Sequence, residues 1–344
     1  MGGVAPINEA AVSRWMSDHV GSREPLSFTL IAGGRSNLTY RVRDANGNSY
    51  ALRRPPTSHV LPTAHDMSRE YRILHALAPL GIPVPRPLAL CDDEAVNGPA
   101  FYVMEFVEGA ILRNRDDAEA TFDLATRQRI GEELAATLAQ LHAVDVEAAG
   151  LGDLARHEGY IERQLRRWRT QYEQMRVEGD GGDGLVEDVA ERLARAIPPQ
   201  QRVTIVHGDY RLDNTVLDEA GRVRAILDWE ICTLGDPLAD VGLLLDYWAE
   251  PGDPTTALLG AAPTTAPGFA SRDQVLAAYA AHSDVDVSGV AYYQSFGYWK
   301  LACILQGVYA RYRAGATAGD TGSVDEFPAH IALLAGLAKD MLES

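Results

Sequence analysis

Val206-His207-Gly208-Asp209-Tyr210-Arg211-Leu212-Asp213-Asn214 follows directly on a short apolar run, Arg202 to Val206. A second apolar run, Val223 to Leu227, ends in Asp228-Trp229-Glu230. Each run has the length and flanking residues of a buried strand rather than a helix. Two strands that each end in a carboxylate and flank an asparagine can bring Asp209, Asn214 and Asp228 to one point. Asp and Asn are also favoured in the turns of any α/β unit, so the inference rests on the ordered set and on both strands, not on one triplet.

Before this stretch the chain changes character once. Ala10 to Val20 reads as a helix, and Ser27 to Ile31, Leu38 to Val42 and Ser49 to Arg53 read as three antiparallel strands, separated by Gly33-Gly34-Arg35-Ser36-Asn37 and by an Asn46-Gly47 turn. Ala64 to Ala78 has apolar residues at helical spacing and is terminated by Pro79 and Gly81. Phe101 to Val107 reads as a further strand ending at Gly109. Beyond it the pattern is helical, over Thr126 to Val144, Gly159 to Met175, Leu185 to Ala196, Ala239 to Trp248, Arg272 to Ala281, Ala291 to Arg313 and Ala329 to Leu342. Asp236-Pro237 has the form of a helix N-cap followed by proline at the first helical position. The expected fold class is α+β, with a strand-rich lobe over residues 1–105, a connector at 106–109 and a larger helical lobe over 110–344. The cleft between lobes is the default ligand site.

Composition narrows the partners. With 48 acidic and 31 basic residues the formal charge is −17, which argues against broad binding of phosphate backbones and hence against nucleic acid. Three scattered cysteines make neither a disulfide framework nor a thiolate zinc site and fit a reducing cytoplasm. No apolar run approaches the roughly 18 residues needed to cross a bilayer, and no signal sequence opens the chain. Oligomeric state is not legible. Only Lys300 and Lys339 are lysines; every permanently charged side-chain cation before them is arginine.

Phosphoryl transfer needs carboxylates and an asparagine so arranged, because the protein mainly positions groups and neutralises charge. An aspartate followed five residues later by asparagine, then a metal aspartate, is the catalytic-loop order of kinases. Here the sequence resembles the aminoglycoside phosphotransferase or choline kinase-like family of the two-lobed protein-kinase-like fold, whose loop reads His-Gly-Asp. The resemblance implies an ATP- and Mg2+-dependent transfer to a small-molecule hydroxyl acceptor. It implies Asp209 as base, Asn214 and Asp228 as metal ligands, and His207 as a brace of the loop.

In the nucleotide half, the resemblance places Gly33, Gly34, Ser36 and Asn37 in the phosphate-covering turn. Tyr50-Ala51-Leu52-Arg53 stands where the kinase pattern has its phosphate-binding lysine, so Arg53 takes that place, with Arg54 as fallback. Glu70 on the following helix is its expected ion-pair partner. Met104, Glu105 and Val107 fall in the hinge, where backbone groups from Glu105 to Val107 would bond the adenine edge and Met104 would line the base pocket.

The segments Ala291 to Lys300 and Gln306 to Arg311, with His207 to Asn214 and Leu227 to Glu230, look most like the phosphotransferase domain fused to acyl-CoA dehydrogenases. That implies a hydroxyacyl-CoA or related metabolite as acceptor. An aminoglycoside antibiotic is the alternative, distinguished by acids lining the pocket beside Asp209. A nucleotide-binding pseudokinase is a third reading, permitted by the arginine at position 53. Arg163, Arg166, Arg167 and Arg169 crowd one helix; Arg163, Arg166 and Arg167 share a face that would suit an anionic acceptor, unless Glu162 and Glu173 pair with it.

Overall fold

Alternation in Leu38-Thr39-Tyr40-Arg41-Val42 puts Tyr40 and Val42 on one face, and both are buried, as the period of a strand requires. In the computed structural model, which describes residues 7–31, 37–56, 66–177, 179, 181–182, 184–256, 262–314 and 324–344, this run is β2 (Leu38–Arg43). It lies between β1 (Ser27–Leu30) and β3 (Ser49–Arg54), antiparallel to both. The β2–β3 turn is held by Asp44, whose carboxylate accepts from the N–H groups of Asn46 (2.9 Å) and Asn48 (2.8 Å). β4 (Pro87–Cys91) and β5 (Phe101–Glu105) complete a five-stranded antiparallel sheet of order β1-β2-β3-β5-β4.

Helix α1 (Glu9–Val20) is capped by Asn8, whose side chain accepts from Ala11 N–H at 3.2 Å. It buries Val12, Trp15 and Met16 against Tyr40, Val42, Leu52, Phe101 and Val103. Helix α2 (Met67–Leu77) begins at an Asp66 cap and buries Met67, Ile73, Leu74, Leu77 and one charged residue, Glu70. A single turn, α3 (Glu94–Asn97), precedes β5.

By its internal contacts the chain divides into two compact units, Met1–Gly109 with Arg224–Glu230, and Ala110–Val223 with Ile231–Ser344. The segment carrying Asp228 therefore groups with the sheet-bearing unit, although it follows the His207–Asn214 stretch in sequence. The second unit contains α4 (Arg115–Thr121), α5 (Leu124–His142), α6 (Tyr160–Gln174), α7 (Leu185–Arg195), α8 (Leu238–Tyr247), α9 (Arg272–His282), α10 (Val290–Arg313) and α11 (Phe327–Glu343). Short strands β6 (Thr204–Val206) and β9 (Thr233–Gly235) pair antiparallel within it, and β7 (Thr215–Leu217) follows the His207–Asn214 stretch; β8 (Val223–Ile226) leads into the Asp228 segment.

The central helix is α10, whose Tyr293, Phe296, Trp299, Ala302 and Cys303 are buried. Its crossing with α8 depends on Gly242, where a Cβ would lie 2.6 Å from the Tyr293 carbonyl carbon. Boundaries differ from expectation where a cap outweighs hydrophobic spacing. The helix expected from Thr126 starts at Leu124, because the Asp123 carboxylate accepts from Thr126 N–H at 2.7 Å. The short α4, capped by Asn114, carries too little apolar periodicity to be visible in sequence. Among the described residues no helix is long and apolar enough to cross a membrane. None of the three cysteines forms a disulfide, and all three are buried.

Candidate active site

β6 delivers the His-Gly-Asp stretch, and a buried carboxylate from α8 holds it. Asp240 accepts from the His207 N–H (2.6 Å, Oδ2) and the Gly208 N–H (2.8 Å, Oδ1), and its Oδ2 lies 3.4 Å from His142 Nε2. His142 is in turn fixed by Tyr279, with Nδ1 and the hydroxyl 2.8 Å apart. Burial opposes the Asp240 charge, but the His142 hydrogen bond and charge, His207 and the Gly208 N–H together hold its carboxyl below the ordinary value. Gly208 has φ 84°, a conformation costly for any residue with a Cβ. The Asp209 N–H then donates to His207 Nδ1 at 3.2 Å. His207, itself completely buried, sits where a brace would.

The Asp209 carboxylate remains partly exposed. Asn214 Nδ2 donates to its Oδ2 (2.7 Å) and to its backbone carbonyl (2.9 Å), closing the loop across five residues. The same bonds turn Asn214 Oδ1 away from Asp209. Arg211 Nε lies 3.3 Å from Asp209 Oδ1 and 3.0 Å from Asp213 Oδ1, with its guanidinium 4.7 Å from the Tyr247 ring centre. Tyr210 is fully buried and donates to the Leu134 carbonyl at 2.9 Å, so it shapes the loop from behind. Asp236, expected as a helix cap, accepts from Leu238 N–H (3.0 Å) and from the Tyr293 hydroxyl (2.7 Å).

Asp209 opens into a cavity of about 330 Å³ within the second unit, also lined by Tyr160, Arg167, Trp168, Arg211, Tyr247, Lys300 and Arg311. Asp209 is its single carboxylate among the described residues. Of the four arginines on α6, Arg167 alone faces this cavity. Arg163 instead donates to the backbone carbonyls of Glu158 and Arg156 beside the helix start, and Arg169 pairs with Glu173 at 2.9 Å.

In the first unit a second cluster forms around Arg53. Its Nε lies 2.9 Å from Glu70 Oε2, and its Nη2 lies 2.5 Å from Asp228 Oδ1 and 3.5 Å from Glu230 Oε2. Tyr102, opposite Arg53 in the sheet, donates to Glu70 Oε2 at 3.0 Å. Asn37 Nδ2 donates to Glu70 Oε1 (2.9 Å) and Glu230 Oε2 (3.1 Å). Arg54, one residue on, has its side chain on the opposite face of the strand, buried and away from this cluster.

Asp228 has φ 64°, the one positive φ of a non-glycine residue among those described. Such a backbone is costly and persists only where the surroundings enforce it. Here Trp229 enforces it: the indole is buried and donates to the Ile226 carbonyl at 3.0 Å, while Asp228 and Glu230 both reach Arg53. Three carboxylates thus share one guanidinium. Burial pushes Glu70 up to about 7, reinforced by Asp228 and Glu230, while Arg53 and the Tyr102 hydrogen bond pull it down. The surplus negative charge at Asp228 and Glu230, presented on hard oxygen donors, suits a divalent cation such as magnesium. Among the described residues no cluster of three or more His, Cys, Asp or Glu side chains forms a metal cage. Magnesium commonly needs only one or two protein oxygens beside phosphate.

Met104 is buried in β5, opposite Ala51. β5 stops at Glu105, whose N–H donates to the Arg86 carbonyl at 2.9 Å, so that amide is already committed. Val107 lies beyond the strand, and its N–H donates to no described backbone group. Gly33, Gly34 and Ser36 lie outside the described residues.

Glu230, Asp240 and Lys300 were not singled out by sequence reasoning. Glu230 stands at period-two spacing from Asp228, and that spacing is the one local signal that points to it. Asp240 and Lys300 act across the fold and leave no local signal.

The chain matches the phosphotransferase enzyme family over residues 27–275. It is 33% identical over 335 residues to mouse acyl-CoA dehydrogenase family member 10, covering 95% of this chain and 31% of that protein. The chain spans about a third of the length of the curated relatives it matches. A crystal structure from Ralstonia eutropha, assigned as an aminoglycoside phosphotransferase, superposes with a TM-score of 0.80 at 30% identity, covering 98% of this chain and 99% of that one. The amicoumacin kinase hAmiN, solved with AMP-PNP and Ca2+, shares the fold at a TM-score of 0.61 and 18% identity, covering 98% and 93% of the two chains. With the kinase-like fold, the His-Gly-Asp loop and a family match across most of its length, the chain belongs to the phosphotransferase enzyme family and is by family a small-molecule phosphotransferase.

Proposed function

We propose that the protein transfers the γ-phosphate of ATP, with Mg2+, to a hydroxyl of a small molecule, with Asp209 as the base. The observation that carries this is Asp209 itself. It is a carboxylate held by Asn214 and by a loop braced on Asp240, and it faces a cavity of about 330 Å³. In the transfer Asp209 takes the proton of the acceptor hydroxyl. The hydroxyl oxygen bonds to the γ-phosphorus, the bond to the β,γ-bridging oxygen breaks, and ADP leaves. Arg53, oriented by Glu70, would clamp the nucleotide phosphates, and Asn37 would stand at their edge; Gly33, Gly34 and Ser36, assigned with it to the phosphate-covering turn, lie outside the described residues. Asp228 and Asn214 Oδ1 would hold magnesium, which when bound supplies charge neutralisation on the phosphate oxygens. Met104 would line the adenine site. With the Glu105 amide committed to Arg86, Val107 supplies the hinge donor.

The acceptor we infer is a hydroxyacyl-CoA or related metabolite. Relatives named acyl-CoA dehydrogenases support this, as does a cavity whose described lining holds four cations and one carboxylate. An aminoglycoside is polycationic and would meet Arg167, Arg211, Lys300 and Arg311 with too little compensating charge. The site acts as a cytoplasmic enzyme in this reading.

ADP release followed across a panel of hydroxyacyl-CoAs and aminoglycosides tests the assignment. Stimulation by the hydroxyacyl-CoAs is the expected result. Stimulation by aminoglycosides alone would replace the acceptor class, and bound ATP without turnover across the panel would support a nucleotide-binding pseudokinase.

A further inference from the structure

Beyond its share of the positive cavity lining Lys300 has no individual role above, yet its placement is unusual. It is one of two lysines in the chain, and the other, Lys339, lies on the surface 4.0 Å from Glu343. Lys300 is 9% exposed, on the buried central helix α10. Its Nζ donates to the Gly208 carbonyl at 3.1 Å and lies 5.7 Å from the Trp168 ring centre. Gly208 is bonded directly to Asp209, so ammonium and base face one cavity from neighbouring positions.

An ammonium has three N–H donors. Among the described residues Lys300 forms no ion pair, and the Gly208 carbonyl is its one hydrogen-bond acceptor. Burying such a group costs several kcal/mol unless its remaining donors find partners. Burial pulls the amine toward its neutral form, and Arg167 adds to that pull, while Asp209 and Asp240 favour the charge. The groups facing it are thus the Asp209 carboxylate, the Arg167 guanidinium, the Trp168 ring and the open cavity. Its unused donors can be satisfied from the cavity.

We propose that Lys300 is the specificity-determining residue of the acceptor pocket: its ammonium binds a carbonyl or anionic oxygen of the acceptor, a few atoms from the hydroxyl presented to Asp209. This rests on the phosphotransferase reading of Asp209 and narrows it. The acceptors selected are hydroxylated carboxylates and hydroxylated carbonyl compounds, while neutral alcohols and polycations are disfavoured. Arg167 and Arg311, which line the same cavity and form no ion pair with a described carboxylate, extend the positive field for a more distant negative group.

A brace acting only through the Gly208 carbonyl is the rival role, and kinetics separate the two. Lys300→Met keeps the length and apolar stem, and Lys300→Arg keeps the charge; thermal melting checks that both fold. With 3-hydroxybutyryl-CoA and 1,3-butanediol as paired acceptors, Lys300→Met is expected to raise KM for the thioester roughly 10-fold or more, the worth of a charge-assisted hydrogen bond. KM for the diol and for ATP should stay unchanged, and Lys300→Arg should recover part of the loss. An equal fall in kcat for both acceptors at constant KM would assign Lys300 to the brace and overturn the proposal.

Calorimetric titration of 3-hydroxybutyryl-CoA without ATP reads the same contact independently of turnover. Wild-type binding weakened about 10-fold in Lys300→Met supports the proposal, and equal or absent binding in both overturns it. Binding by wild type without ADP release from any acceptor would instead count against the kinase reading alone.

Discussion

Asp209→Asn is expected to lower kcat by roughly 100-fold or more, the usual contribution of a positioned general base, with little change in KM for ATP. Asparagine fills the same space and its one carbonyl oxygen can still accept from Asn214, whose bond to the backbone carbonyl is untouched, so the loop keeps its shape; what disappears is the Arg211 contact and the capacity to take a proton from the acceptor hydroxyl. Arg53 and Glu70, which we assign to the nucleotide, lie in the other compact unit and are untouched. Steady-state ADP release with the preferred acceptor reads both parameters. Turnover unchanged in Asp209→Asn would remove the base assignment.

Asp240→Ala should cost roughly 3–5 kcal/mol of stability, the penalty for breaking a buried charged network. The substitution strands the N–H groups of His207 and Gly208 and one edge of His142, all inside the protein where water does not replace the lost acceptor. Asp240→Asn should lose less, because one carbonyl oxygen remains. The pH dependence has a definite sign. The folded state holds the Asp240 carboxyl below its ordinary value, so this stabilisation is complete above about pH 4 and is lost as pH falls through the folded value. Urea unfolding of wild type and variant at pH 7 and in acid measures it. The gap should narrow in acid; a gap absent at pH 7 would show that the loop is braced by other groups.

What could be read from the sequence was local and ordered. Asp209 and Asp228 announce themselves because each follows closely on an apolar run, where a strand must stop and expose a polar end, and Asn214 by its place five residues after Asp209. Arg53 was legible by its place in the third strand, and Glu70 by its place on the next helix; the structure brings the two within 2.9 Å. Glu230, Asp240 and Lys300 were not legible. Each gains its meaning from a partner far along the chain, and no period or cap encodes Lys300 meeting the Gly208 carbonyl across the fold. The arginines of α6 mark the limit of face reasoning. Helical spacing correctly puts Arg163 and Arg167 on neighbouring positions, yet Arg163 is drawn off to backbone carbonyls at the helix start and Arg167 is left at the cavity. In the hinge, hydrophobic pattern extended the strand to Val107, whereas pairing ends at Glu105.

The fate of the phosphorus is the most direct test of phosphoryl transfer. Phosphorus NMR of a reaction containing the protein, magnesium, ATP and the hydroxyacyl-CoA panel should show the γ-phosphate signal replaced by a phosphate monoester on the acyl hydroxyl, together with ADP. Release of inorganic phosphate alone, or no change with ATP bound, would contradict it.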